Sequence, residues 1–135
     1  MANAVKIAVS VVIGFVVWFV VATVGNFVVR AAIPGYTEAE PGMSFTLPML
    51  LARLCLGVVS SIVAGFACAI VLRSRPAAVP FFAIALVVFF LPVHYSRWAR
   101  FPVWYHLIFL VSLAPLALLG TKLARPRVGG NQSAA

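Results

Sequence analysis

From Ile7 to Val29 the chain runs for 23 residues without a charged side chain. A hydrocarbon slab about 30 Å thick is crossed by a helix of about 20 apolar residues, each rising about 1.5 Å. This run therefore has the length of a membrane span. Three more follow: Leu47 to Leu72, broken only by Arg53, then Ala77 to Val93, and Pro102 to about Gly120. Composition excludes the alternatives. Of the residues, 64% are hydrophobic and 9% charged, whereas a soluble domain has about a quarter charged residues and needs a polar skin. Two cysteines are too few for a disulfide scaffold, and the excess of Val, Leu, Ala and Phe excludes disorder. The prediction is an all-α polytopic membrane protein with four transmembrane helices in an up-down bundle. It forms one domain over residues 1–127, and the Gly/Asn/Ser/Ala-rich tail 128–135 is expected to fray.

The punctuation agrees. Arg30 and then Ile33-Pro34-Gly35 stop the first span, and Arg73-Ser74-Arg75-Pro76 stops the second. The latter is short enough to make spans two and three antiparallel neighbours. Pro102 is a good first residue for the fourth helix, and Pro115 should kink it by freeing the carbonyl of Val111. Only the stretch from Ala31 to Thr46 is long, with turns at Pro34-Gly35 and Pro41-Gly42. The first apolar run exceeds the 7–15 residues of a signal-peptide core and has only Lys6 before it, so an uncleaved helix is expected.

Charge gives orientation. Lys6, Arg73, Arg75, Lys122, Arg125 and Arg127 fall on the side of the termini, and Arg30, Arg97 and Arg100 lie in the opposite loops. The positive-inside rule then predicts a multi-pass protein of the cell inner (cytoplasmic) membrane with both termini cytoplasmic. The net charge of +8 suits anionic lipid headgroups as partners. No extramembrane segment is long enough to build a basic patch for nucleic acid.

Helices in lipid associate by close backbone approach and interhelical hydrogen bonds. Gly57, Ser61, Gly65 and Ala69 recur at i+4 on the second span, so that helix is expected to pack centrally, against the first helix or a second copy. Cys55 and Cys68 are 13 residues apart on the same helix, about 20 Å by helix rise, and cannot bridge.

The polar residues gather on the side away from the termini. Glu38 and Glu40 are the only acids, and His94 and His106 are the only histidines. Tyr36, Tyr95, Arg97, Trp98, Trp104 and Tyr105 stand nearby in the sequence. Arg53, inside a span, is costly in lipid. It is expected either to snorkel or to pair with Glu38 or Glu40. Asn26 is expected to hydrogen-bond another helix. A metal or haem site on His94 and His106 would need a further ligand, and the spacing matches no ligand signature. Structural hydrogen bonding is the expectation, with no metal and no cofactor. The candidate polar or ligand site is thus Glu38, Glu40, Arg53, His94, Tyr95, Tyr105 and His106. The aromatic pair Trp104-Tyr105 reads as an interfacial belt, or as the mouth of a pocket for a lipid or quinone headgroup.

No serine–histidine–acid set, His-Glu-x-x-His or glycine-rich phosphate loop is present, so no catalytic residue is assigned and an enzyme is not expected. The leading expectation is a non-enzymatic helix-packing subunit, scaffold or homo-oligomer, alone or within a larger membrane complex. A small dimeric transporter or channel is the alternative, weakened because no Asp or Glu lies within a span. A redox, haem or metal-binding protein using the His94/His106 face is a second alternative.

Overall fold

A computed structural model describes residues 2–71 and 79–125. It is an all-α four-helix bundle. Helix α1 spans Ala2–Ala32, the single turn α2 spans Tyr36–Ala39, α3 spans Leu47–Val71, α4 spans Val79–Ser96 and α5 spans Val103–Ala124. Residues Trp98–Arg100 form a 3-10 turn between α4 and α5. The helices α1, α3, α4 and α5 are each long and apolar enough to cross a membrane, as expected of a multi-pass membrane protein. Their outward faces carry side chains such as Val12, Val24, Phe27, Phe81, Ile84 and Val111, all exposed. Apolar exposure of this extent is tolerable in lipid and costly in water. The 73–76 turn and the 128–135 tail lie outside the described residues.

Contact levels fix the topology. Gly25 meets Leu56 and Trp18 meets Ser61, so α1 and α3 run antiparallel. Gly57 meets Phe109 and Gly65 meets Ala117, so α3 and α5 run parallel. Phe90 meets Phe109 and His94 meets His106, so α4 and α5 are antiparallel. This is the up-down pattern.

Helix α3 is central, as its small-residue stripe suggests, yet its closest partner is α5. A Cβ on Gly65 would run into the backbone of Ala117, and one on Gly120 into the backbone of Ile62. The two helices therefore touch backbone to backbone, each lending a glycine. Thr121, one residue on, donates its hydroxyl to the Ala117 carbonyl at 3.0 Å and lies 3.4 Å from that of Gly65. This pairing has two consequences for the expectations above. Spans two and three, α3 and α4, are antiparallel but touch only slightly, because α3 offers its narrow face to α5 and its other flank to α1. And α5 does not fade at Gly120: it continues to Ala124, with Gly120 held against α3.

An aromatic layer holds α4 in place. Phe15 packs edge-on to Phe82 and Phe89, with ring centroids 5.9 and 5.3 Å apart. Trp18 tilts over Phe90 at 4.6 Å and sits edge-on to Phe109 at 6.5 Å. Edge-to-face pairs at such separations are favourable because the positive ring edge meets a negative face. The indole N–H of Trp18 is satisfied inside the bundle, donating to Ser61 Oγ at 3.1 Å. Trp18 thereby ends the closely packed half of the structure, and a cavity begins above it.

Candidate functional site

The cavity has a volume of about 490 Å³ and lies between all four long helices, at the end where the α1–α3 and α4–α5 connections sit. Its size falls in the range of small-molecule sites. Trp18, Phe90 and Phe109 form the floor, with Ala22, Leu56 and Val93 in the walls. The upper part is polar: Asn26, Arg30, Arg53, His94, Arg97, Tyr105 and His106 line it. Every charged residue in the described lining is a cation.

One wall is held by a directed chain of hydrogen bonds. Arg53 Nη1 donates to the Tyr36 hydroxyl oxygen at 2.8 Å. That hydroxyl donates to Asn26 Oδ1 at 3.2 Å. The Asn26 amide donates to Glu40 Oε1 at 3.2 Å. From the other side Arg30 grips Glu40 through Nε and Nη2, the latter 2.7 Å from Oε2. Each donor faces an acceptor, and the chain ends on a carboxylate. The expected ion pair between Arg53 and a glutamate therefore does not form. Glu40 belongs to Arg30, Glu38 is exposed, and Arg53 reaches Glu40 only through two neutral side chains. Asn26 does find a partner in another segment, although that segment is the α2 region and not a spanning helix.

Tyr36 makes this possible, and it is fully buried. Gly35 precedes it with φ 79, a left-handed conformation that glycine adopts without a Cβ clash. The chain turns there and drops the Tyr36 ring back over α3. Phe45 completes the cover, packing against Tyr36 at 5.3 Å and stacking with Phe101 at 5.9 Å. The Arg53 guanidinium lies over the Phe45 ring, 4.7 Å from its centroid, a cation–π contact that offsets part of the cost of a cation in a span. Its Nε is buried and has no partner among the described residues.

The opposite wall carries the imidazole pair. His94 sits in the last turn of α4 and His106 in the first turns of α5, and both are buried. Their Nδ1 atoms are 2.8 Å apart, a hydrogen bond that needs one proton between them. His106 stacks on Trp98 at 4.7 Å, with its Nε2 3.3 Å from the Trp98 carbonyl oxygen. The His94 ring tilts over Phe109 with centroids 4.5 Å apart. Each imidazole thus uses its Nδ1 on the other. Among the described residues no group of three or more His, Cys, Asp or Glu could hold a metal ion.

Of the residues the sequence singles out, the cavity brings together Arg53, His94, Tyr105 and His106, with Glu40 behind its wall. Tyr95 points away, at 83% exposure, since one residue past His94 on a helix faces about 100° around the axis. Cys55 is exposed and Cys68 buried, on separate faces of α3. Sequence reasoning missed Arg30 and Arg97 as part of one lining and Trp18 as its floor. Arg97 lies one residue past the end of α4, where helical periodicity no longer marks a face. No match is found among family models, curated proteins or solved structures.

Glu40 is the titrating group whose loss the wall would feel. The Arg30 guanidinium, aided by the Asn26 amide, holds its carboxyl below the ordinary value of 4.5, against a desolvation that pushes it up. A carboxyl lowered on folding stabilises the fold above its unfolded value, and that contribution fades as pH falls through the lowered one. Glu40→Gln should therefore narrow the stability gap between pH 7 and pH 3, measured by thermal melting in detergent. The change should be small, because the Arg30–Glu40 pair is partly exposed and solvent screens it.

Proposed function

We propose that this protein is a non-enzymatic membrane receptor for an anionic amphiphile, which it holds with the head among Arg53, Arg97 and Arg30 and the tail toward Trp18. The carrying observation is the cavity's sorting by depth, with only cations among its charged lining residues and an aromatic floor beneath. Among the described residues Arg30 pairs with Glu40, whereas Arg97 meets the Met43 sulfur at 3.7 Å and Arg53 meets the Tyr36 and Tyr105 hydroxyls and the Phe45 ring, with no acid. The half-buried Arg53 guanidinium, without an acid beside it, favours an anion strongly, and Arg97, exposed at the rim, adds a second positive charge. With both termini in the cytoplasm of an inner-membrane protein, the site would open toward the outer leaflet.

The other readings have less support. On the small-residue stripe of α3, Gly57 and Gly65 meet α5 and Ser61 meets α1 within one chain, so the stripe lends a homo-oligomer no particular support. A haem or metal site would have to compete with the bond between the two imidazoles.

The test uses Trp18 as reporter, in a Trp98→Phe, Trp104→Phe background in nanodiscs of neutral phosphatidylcholine. Dodecyl phosphate brominated along its chain should quench Trp18 saturably, and brominated dodecyltrimethylammonium should not. Arg53→Gln should weaken the phosphate by about tenfold or more, since a hydrogen bond to a charged group contributes about 1.5–3 kcal/mol. Arg97→Gln, at an exposed position, provides the variant least able to disturb folding. Equal quenching by the phosphate and the cation, or no saturation, overturns the reading.

A further inference from the structure

We infer that the head bound in this cavity is a phosphate monoester, chosen over the diester of ordinary phospholipids by the ring nitrogen of His94. The inference rests on the anionic-amphiphile reading and deepens it. It follows from the order in which protons must sit on the imidazole pair.

A backbone carbonyl can only accept. The contact between His106 Nε2 and the Trp98 oxygen therefore places the His106 proton on Nε2. A neutral imidazole carries one proton, so His106 Nδ1 is bare and accepts. The 2.8 Å bond between the two Nδ1 atoms must then take its proton from His94. With its proton on Nδ1, His94 has a bare lone pair on Nε2, and no described residue bonds to that atom. The tautomer of a residue inside the cavity is thus set by a carbonyl outside it, in the manner of an outer partner orienting a functional imidazole.

The outcome for a ligand is specific. The polar half of the cavity offers many donors from Arg30, Arg53 and Arg97, hydroxyls on Thr23 and Tyr105 that can donate or accept, and at His94 an acceptor that cannot donate. A phosphate diester has no proton to give, so its anionic oxygens would face the His94 lone pair and leave it unpaired. A phosphate monoester loses its second proton only at about pH 6, so close to neutral pH it still supplies a singly ionised form, with two acceptor oxygens for the guanidiniums and one P–OH. That hydroxyl donates to His94 Nε2. A site with buried polar groups discriminates best against the ligand that leaves one of them unpaired.

The experiment compares chain-brominated dodecyl phosphate with chain-brominated dodecyl methyl phosphate, which share a tail and differ by the methyl group that replaces the second acidic proton, in the same nanodiscs and the same Trp98→Phe, Trp104→Phe background. The native protein should bind the monoester about tenfold more tightly. His94→Phe, which keeps a flat ring on Phe109, should bring the ratio to about one without weakening the diester. Equal affinities in the native protein, or a ratio unchanged by His94→Phe, would overturn the headgroup assignment and leave the anionic-amphiphile reading standing. Failure of both ligands to bind would overturn the cavity reading itself, as would inorganic phosphate competing as well as the dodecyl ester. Nitrogen-15 NMR of histidine-labelled native protein tests the premise without a variant: a bare Nε2 on His94 is required, and a protonated one sinks the inference.

Discussion

Gly65→Ala is expected to destabilise the bundle by more than about 3 kcal/mol, although it adds one methyl group. Overpacking is usually relieved by a side chain moving aside. At Gly65 the obstacle is the backbone of Ala117, and at Gly120 it is the backbone of Ile62, so relief requires the two helices to part. Parting would stretch the Thr121 contact to the Gly65 carbonyl and lift Gly57 from Phe109, the ring that forms part of the cavity floor. Gly25 makes the control. A Cβ there also meets an obstacle, but it is the tip of the Leu56 side chain, which can rotate. Gly25→Ala should therefore cost under about 1 kcal/mol, in line with repacking of a flexible neighbour. Unfolding in mixed micelles, followed by circular dichroism, measures both. Equal effects from the two alanines would show that α3 and α5 do not meet backbone to backbone.

The same pair of helices shows how far the sequence could be read. The four spans were legible because each is a long run with few charges, and the bilayer imposes their length. The stripe on α3 was legible as a packing face, since in lipid small residues are what allow backbones to approach. Its partner was not. Gly120 reads equally as a helix end, and only the placement of α5 reveals Ala117 and Gly120 as the complementary face. The gathering of acids and imidazoles at one end followed from an even number of crossings. The particular pairings did not, because both glutamates lie within reach of both arginines along the chain. What decides between them is the Gly35 turn, which buries Tyr36 beside Arg53 and leaves Glu40 to Arg30. Arg97 and Trp18 escaped notice as site residues because a cavity is a property of helices that diverge, and divergence leaves no periodic trace in a sequence.

Trp18→Ala should lower stability by about 3 kcal/mol and deepen the cavity at the same time. In a membrane, the usual hydrophobic gain from burying a ring is small, because the unfolded helix already sits in hydrocarbon. The loss comes from the void and from one hydrogen bond. A void on the order of 100 Å³ costs about 2–3 kcal/mol at about 24 cal/mol per Å³, and the bond to Ser61 adds about 0.6 kcal/mol. Trp18→Phe, which keeps most of the ring against Phe90, should lose much less. The functional consequence follows from position: Trp18 closes the lower end of the space that receives the tail. Removing it lets a longer tail pass the level of Phe90 and occupy the void. Hexadecyl phosphate should then raise the melting temperature of Trp18→Ala more than dodecyl phosphate does, and should show no such advantage in the native protein. If the two esters stabilise the variant equally, the tail does not lie toward Trp18, and the depth order assigned to head and chain is wrong.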